Sequence, residues 1–197
     1  YEIGSGLVGS EMCIRDSIET DFTAEEIVMT GRTPYQGRFE GTSIGDKEAV
    51  YRAFSLTKAD KLKNKKFAIL SGGEKQKIVI ARAVAQTTPW MLLDEPIASL
   101  DIKNQIEIMQ TLLELNRQEG VSVLMVLHDI NLAGIYCDRL IMLKDGQVIA
   151  AGNTNECLCE ENLKKLYDIS FFHMDTTYHL RTCLAVSYTH LRAHETG

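Results

Sequence analysis

Two acidic side chains end the apolar run Met91-Leu92-Leu93-Asp94-Glu95-Pro96. A carboxylate at the C-terminal end of a parallel strand stands where α/β folds place their ligands. Upstream, Leu70-Ser71-Gly72-Gly73-Glu74 opens a helical pattern with two glycines. A helix start offers unpaired N–H groups and the positive end of the helix dipole, and glycine lets an anion approach the backbone closely. Ser71 and Glu74 also fit a capping box, and the two readings are compatible. Downstream stand Asp101 and His128, the latter closing the apolar stretch Val121 to Leu127. Strand-end acids, a glycine-opened helix and a histidine supply positioning and charge stabilisation, which is most of what phosphoryl transfer asks of a protein.

The elements needed to hold these residues are legible on either side of them. Thr23 and Glu26 predict a capping box for a short helix ending near Gly31, with Pro34 in the loop beyond. A second helix is expected over about Asp46 to Phe54, with Ala49, Val50, Ala53 and Phe54 on one face. Lys58, Lys61, Lys63, Lys65 and Lys66 read as a solvated connector. Ser71 caps a helix running to about Gln86, and Pro89 precedes a continuous apolar strand from Trp90 to Leu93. A helix over about Lys103 to Arg117 should bury Ile106, Met109, Leu112, Leu113 and Leu115, and Gly120 ends it. A second buried strand (Val121 to Leu127) follows, then a helix from Asp129 and a strand from Leu140 to Leu143. The Asp145-Gly146 hairpin turn leads into Gln147 to Ala150. Strands alternating with helices argue for a parallel sheet with an antiparallel pair at the end.

Composition narrows the class. A chain of 197 residues, 45% hydrophobic, can bury one core. Its net charge of -6 argues against a nucleic-acid binder, which usually carries a basic surplus. No apolar run reaches the roughly 18 residues that would span a bilayer. The five cysteines, Cys13, Cys137, Cys157, Cys159 and Cys183, are scattered and odd in number, which fits a reducing cytoplasm better than a disulfide framework. Cys157 and Cys159 have no second pair to complete a zinc site.

Both ends read as non-native. Residues 4–17 show neither helical nor strand periodicity and, like 187–197, resemble translated sequencing-adapter tails, so non-native ends are expected over 1–17 and 184–197. They also carry decoys. Gly4, Gly6 and Gly9 spell a dinucleotide fingerprint, but no strand precedes it and no helix follows. Ser10 and Glu11 stand where a phosphate loop needs lysine and a hydroxyl. His190 and His194 have metal-ligand spacing but no third ligand.

In their order and spacing the internal motifs resemble those of the ATP-binding cassette (ABC) ATPases, over roughly Asp21 to Leu180 and most closely from Leu70 to Gly152. Leu70 to Glu74 matches the signature motif, Met91 to Glu95 the Walker B strand, Asp101 the D-loop and His128 the H-loop. The resemblance implies an α/β, P-loop NTPase-like fold with a parallel sheet core and a helical subdomain, using ATP and Mg2+. Asp94 would hold the metal through water, and Glu95 would orient and deprotonate the attacking water. His128 would contact the γ-phosphate. Ser71, Gly72 and Gly73, on a helix whose Glu74, Gln76 and Arg82 also match, would press on the γ-phosphate bound to the opposite subunit. That implies a homodimeric nucleotide sandwich, with Asp101 helping to couple its two sites.

Departures from the family pattern are informative. Ile97 replaces the small hydroxyl residue common after the proline. No G-x-x-x-x-G-K-[ST] occurs anywhere in the chain, and the first glutamine is Gln36, so the Walker A loop and the Q-loop glutamine are missing. The adenine-stacking aromatic is unaccounted for as well. The chain therefore reads as the C-terminal two-thirds of an ATPase, expected neither to bind ATP tightly nor to turn it over alone. Its expected organisation is a helical subdomain with the signature motif (18–88), an ATPase core (89–152) and a C-terminal helical region (153–183).

Gly31-Arg32-Thr33-Pro34, Leu127-His128-Asp129-Ile130-Asn131 and Tyr136-Cys137-Asp138 resemble importers of iron-siderophores, haem or cobalamin, as do the Gly152-Asn153 turn and Leu166 to Ile169. Such a subunit would sit at the cytoplasmic face of the membrane beneath two permease subunits, indirectly served by a substrate-binding protein. The segment Thr23 to Arg38 would face the permease. Two alternatives differ in class. A DNA-repair ATPase with a similar signature would carry long heptad coils, which this chain lacks. A non-catalytic remnant would arise from genuine truncation.

Overall fold

The computed structural model of the protein describes residues 22–35 and 41–168. The two end segments read as non-native, with their glycine and histidine decoys, lie outside these residues, as does the remainder of the C-terminal region. Among the described residues the chain forms two compact units, divided between Leu124 and Met125.

The first unit begins with three helices: α1 (Ala24–Met29), α2 (Ile44–Leu56) and α3 (Gly72–Ala85). Each starts at a reciprocal capping box, formed by Thr23 with Glu26, Ser43 with Asp46, and Ser71 with Glu74. The middle box lengthens α2 by two residues at its start relative to the sequence expectation. Pro34 lies within a 3-10 turn, Thr30–Tyr35, directly after α1. Ile27, Val28, Val50, Ala53, Phe54, Ile78, Ala81 and Ala85 form a common buried core. Ala49 is only half-buried.

Polar contacts lock this helical core. Arg32 Nε donates to Asp46 Oδ1 at 2.9 Å, and Arg32 Nη1 to the Ala85 carbonyl at 2.8 Å. The 3-10 turn is thereby tied to the start of α2 and the end of α3. A Cβ on Gly31 would stand 2.3 Å from the Arg82 carbonyl oxygen, so only glycine permits this approach. The lysine connector is solvated as expected, with Lys58, Lys61, Lys65 and Lys66 exposed and Lys63 half-buried, and it carries surface ion pairs. Lys58 pairs with Glu114, Lys63 with Glu25 and Lys65 with Glu74.

The unit continues through β1 (Trp90–Leu93), α4 (Ile102–Glu119) and β2 (Ser122–Met125), whose last residue crosses the boundary. The two strands are neighbours in a parallel sheet, and the Ser122 N–H donates to the Pro89 carbonyl at 2.9 Å. α4 buries Ile108, Met109, Leu112 and Leu115 and ends at Gly120, which has φ 67. Ile106 and Leu113, expected in the core, are half-buried, and the helix turns Ile108 and Thr111 inward instead.

Burial on the strands departs from the sequence expectation. Met91 and Leu93 are buried, but Trp90 is 63% and Leu92 57% exposed. On β2, Leu124 is 51% exposed and its neighbours are half-buried. An apolar run shows that a strand avoids water; it does not show how many faces are covered. Among the described residues only one face of β1 is.

The second unit contains α5 (Ile130–Tyr136), the antiparallel pair β3 (Arg139–Lys144) and β4 (Gln147–Asn153), and the short helices α6 (Thr154–Cys157) and α7 (Glu160–Tyr167). Asp145 and Gly146 have φ values of 50° and 74°. Two successive positive values match the right-handed twist of a two-residue hairpin turn. Asp129 caps α5, its Oδ1 accepting from the N–H groups of Asn131 at 2.7 Å and Leu132 at 3.0 Å.

Candidate functional site

The site is assembled at the start of α3. Ser71 and Gly72 are exposed at the helix mouth, while Gly73 is buried. The Ser71 N–H donates to Glu74 Oε2 at 2.9 Å, and the Glu74 N–H donates back to Ser71 Oγ at 3.3 Å. The cap therefore occupies the amides of residues 71 and 74 and engages neither that of Gly72 nor that of Gly73, at the positive end of a 14-residue helix. Lys65 Nζ donates to Glu74 Oε1 at 3.2 Å. The Ser71 amide and then Lys65 hold the Glu74 carboxyl below its ordinary value. Gln76 is half-buried further along the same helix, and Arg82 is buried.

Asp94 and Glu95 leave β1 as exposed side chains. Glu95 has φ 46, a left-handed conformation uncommon for a residue with a side chain. From Glu95 the chain turns tightly, with Ala98 N–H donating to the Glu95 carbonyl at 3.1 Å and Leu100 N–H to the Ile97 carbonyl at 3.4 Å. Ser99 repeats the left-handed backbone with φ 62. Ile97 is 6% exposed, so the residue that departs from the family pattern packs its side chain into the unit.

Asp101 ends this loop and caps α4. Its Oδ1 accepts from the Asn104 N–H at 2.9 Å and its Oδ2 from Asn104 Nδ2 at 2.6 Å. The Asn104 backbone and then its side chain lower the Asp101 pKa from the ordinary 3.8. Gln105 Nε2 donates to the carbonyls of Leu100 at 3.1 Å and Ile97 at 3.4 Å, fixing the loop from the helix side. Lys77 Nζ, on α3, donates to Glu107 Oε2, on α4, at 2.7 Å.

The first unit thus holds Ser71, Gly72, Gly73, Glu74, Gln76, Asp94, Glu95 and Asp101. His128 is an exposed residue of the second unit, immediately before the Asp129 cap. Sequence reasoning missed Asn104 and Gln105, whose partners are set by the loop's path. It also missed the left-handed backbone at Glu95 and Ser99, where no glycine gives a signal.

Among the described residues no three His, Cys, Asp or Glu side chains converge as a metal cage. Mg2+ rarely needs one, because it is usually held by one or two carboxylates, water and the substrate's phosphates. Asp94, exposed and engaged in no hydrogen bond or ion pair among the described residues, fits that mode.

Solved ABC ATPase cassettes share this fold. Residues 9–98 match the family model described as ABC transporter. The chain is 39% identical over 155 residues to the ferric enterobactin transport ATP-binding protein FepC of Escherichia coli, covering 79% of this chain and 57% of that one. Against the cobalamin import protein BtuD of Halobacterium salinarum it is 38% identical, covering 77% and 38%. Against the hemin import protein HmuV of Streptomyces coelicolor it is 36% identical, covering 77% and 53%. The chain spans about half the length of the curated relatives it matches, 57% for FepC and 53% for HmuV.

Among solved structures, the chain superposes on an ABC transporter of metal-chelate type in an inward-facing conformation. The TM-score is 0.78 at 27% identity, covering 85% of this chain and 67% of that one. A dimeric ATP-binding cassette in a post-hydrolysis state with ADP and Pi matches with a TM-score of 0.55 at 34% identity, covering 67% and 56%.

Proposed function

We propose that this chain is the signature-bearing part of an ATP-hydrolysing subunit that powers import of an iron-siderophore, haem or cobalamin complex. The observation that carries the reading is the mouth of α3, where Ser71 and Gly72 are exposed and the Ser71–Glu74 cap engages neither the Gly72 nor the Gly73 amide. An amide cradle of this kind suits the γ-phosphate of a nucleotide presented by another copy of the subunit. The match to a dimeric cassette bearing ADP and Pi supports the same arrangement.

In the reaction, a water oxygen attacks the γ-phosphorus and the bond to the β–γ bridging oxygen breaks, giving ADP and inorganic phosphate. Glu95 accepts the water's proton. Asp94 would hold Mg2+ through water, the metal offsetting phosphate charge when bound. His128 meets the γ-phosphate, and Asp101 couples the two sites. The P-loop needed for tight ATP binding has no counterpart in this sequence, so the activity belongs to the whole protein. In this reading residues 18–88 belong to the helical subdomain, of which 18–21 and 36–40 lie outside the described residues, and its Thr23 to Arg38 segment faces permease subunits at the cytoplasmic side of the membrane. Residues 89–152 likewise belong to the ATPase core and 153–183 to the C-terminal helical region, of which 169–183 lie outside the described residues. Relatives named for enterobactin, cobalamin and hemin support the class of cargo.

The test is Glu95→Gln in the full-length protein. ATP binding should persist while steady-state hydrolysis falls by roughly 100-fold or more, the usual range for losing a general base. Unchanged turnover would remove Glu95 from that role.

A further inference from the structure

Asn104 connects two parts of the site. Its Nδ2 donates to Asp101 Oδ2 at 2.6 Å, and its backbone N–H donates to Oδ1 at 2.9 Å, so one residue engages both oxygens of the carboxylate. The other end of the same amide lies against the mouth of α3. A Cβ built on Gly73 would stand 2.3 Å from Asn104 Oδ1 and 2.5 Å from its Cγ. The amide could yield only by swinging off Asp101, and breaking a hydrogen bond to a charged acceptor is costly. Gly73 is therefore glycine for a reason apart from phosphate access, namely that the Asn104 amide occupies the space a side chain would need. One turn along both helices, the Lys77–Glu107 ion pair at 2.7 Å fixes α3 against α4.

We propose that Asn104 is a positioning residue that sets the Asp101 carboxylate against the mouth of α3, so that acid and glycine amides move as one body when two subunits close on nucleotide. The inference rests on the nucleotide-sandwich reading above. Asn104 acts through Asp101 and Gly73 and touches no reacting atom. ATP capture by the P-loop of each subunit is separate from this contact, so losing Asn104 slows the step after closure and leaves ATP affinity in place.

The experiment is steady-state ATPase against ATP concentration in the full-length subunit, with thermal midpoints, for wild type, Asn104→Ala and Asn104→Asp. Asn104→Ala is expected to lower kcat about tenfold, with KM for ATP unchanged within about twofold and a Hill coefficient moved toward one. Asn104→Asp keeps the shape but sets a second carboxylate against Asp101, and lowers kcat further. Gly73→Ala should cost less on the Asn104→Ala background than in wild type, because the amide it strikes is gone. Unchanged kcat in both Asn104 variants, or kcat and KM lost together with a fallen thermal midpoint, would overturn the positioning role while leaving the ATPase reading intact. Absence of Mg2+-dependent hydrolysis in the wild type would overturn the ATPase reading itself, and the positioning role with it.

Discussion

Glu95 is both the proposed base and a backbone outlier, with φ 46. A left-handed conformation costs a residue with a Cβ about 1–2 kcal/mol, and glycine avoids that cost while giving up some unfolded-state entropy. Such outliers concentrate where a side chain must be aimed. Glu95→Gly should consequently keep or raise stability, by up to about 1 kcal/mol, while hydrolysis is lost. Denaturant unfolding of the variant beside its ATPase rate checks both halves. A loss of stability would show that the carboxylate, rather than the strained backbone, sets the local energy. The residue types here were readable from the motifs, but the backbone was not, since nothing in Asp94-Glu95-Pro96 announces a positive φ.

At the scale of elements, the capping boxes of Thr23 with Glu26 and of Ser71 with Glu74 were open to sequence reading because they are local, a hydroxyl pairing with a group three residues away, whereas that of Ser43 with Asp46 was not read. Ser71→Ala should destabilise α3 by about 1 kcal/mol, read as a lower denaturation midpoint and faster amide exchange in its first turn. Arg32 was legible as part of a motif, but its contact with Asp46 and the Ala85 carbonyl was not, because those partners come from other helices.

That ion pair also makes a prediction about pH. The Arg32 guanidinium and then the Ser43 amide hold the Asp46 carboxyl below its ordinary 3.8. A carboxyl with a depressed folded-state pKa gives stability that is present above 3.8 and lost as pH falls through the lower folded value. Asp46→Asn should therefore be less stable near neutrality yet lose less on acidification through that window. Thermal midpoints of both proteins across the acid range check it. Parallel curves would remove Asp46 as a source of acid sensitivity.

Over the whole molecule, alternation of strand and helix revealed the fold class, and the antiparallel β3–β4 pair follows from Asp145-Gly146. Coverage of the sheet was not legible, since Trp90-Met91-Leu92-Leu93 is apolar at every position whether one face or two are packed. The exposed rings and branches of Trp90, Leu92 and Leu124 have an immediate colloidal meaning. Large uncovered apolar surface drives self-association. Solutions of this chain should form higher-order species as concentration rises, seen by light scattering. Trp90→Ser with Leu92→Thr should shift the onset to higher concentration while leaving helix content unchanged. A sheet left half-dressed in this way is sticky, and a cell making only these residues would meet them first as a client for its chaperones.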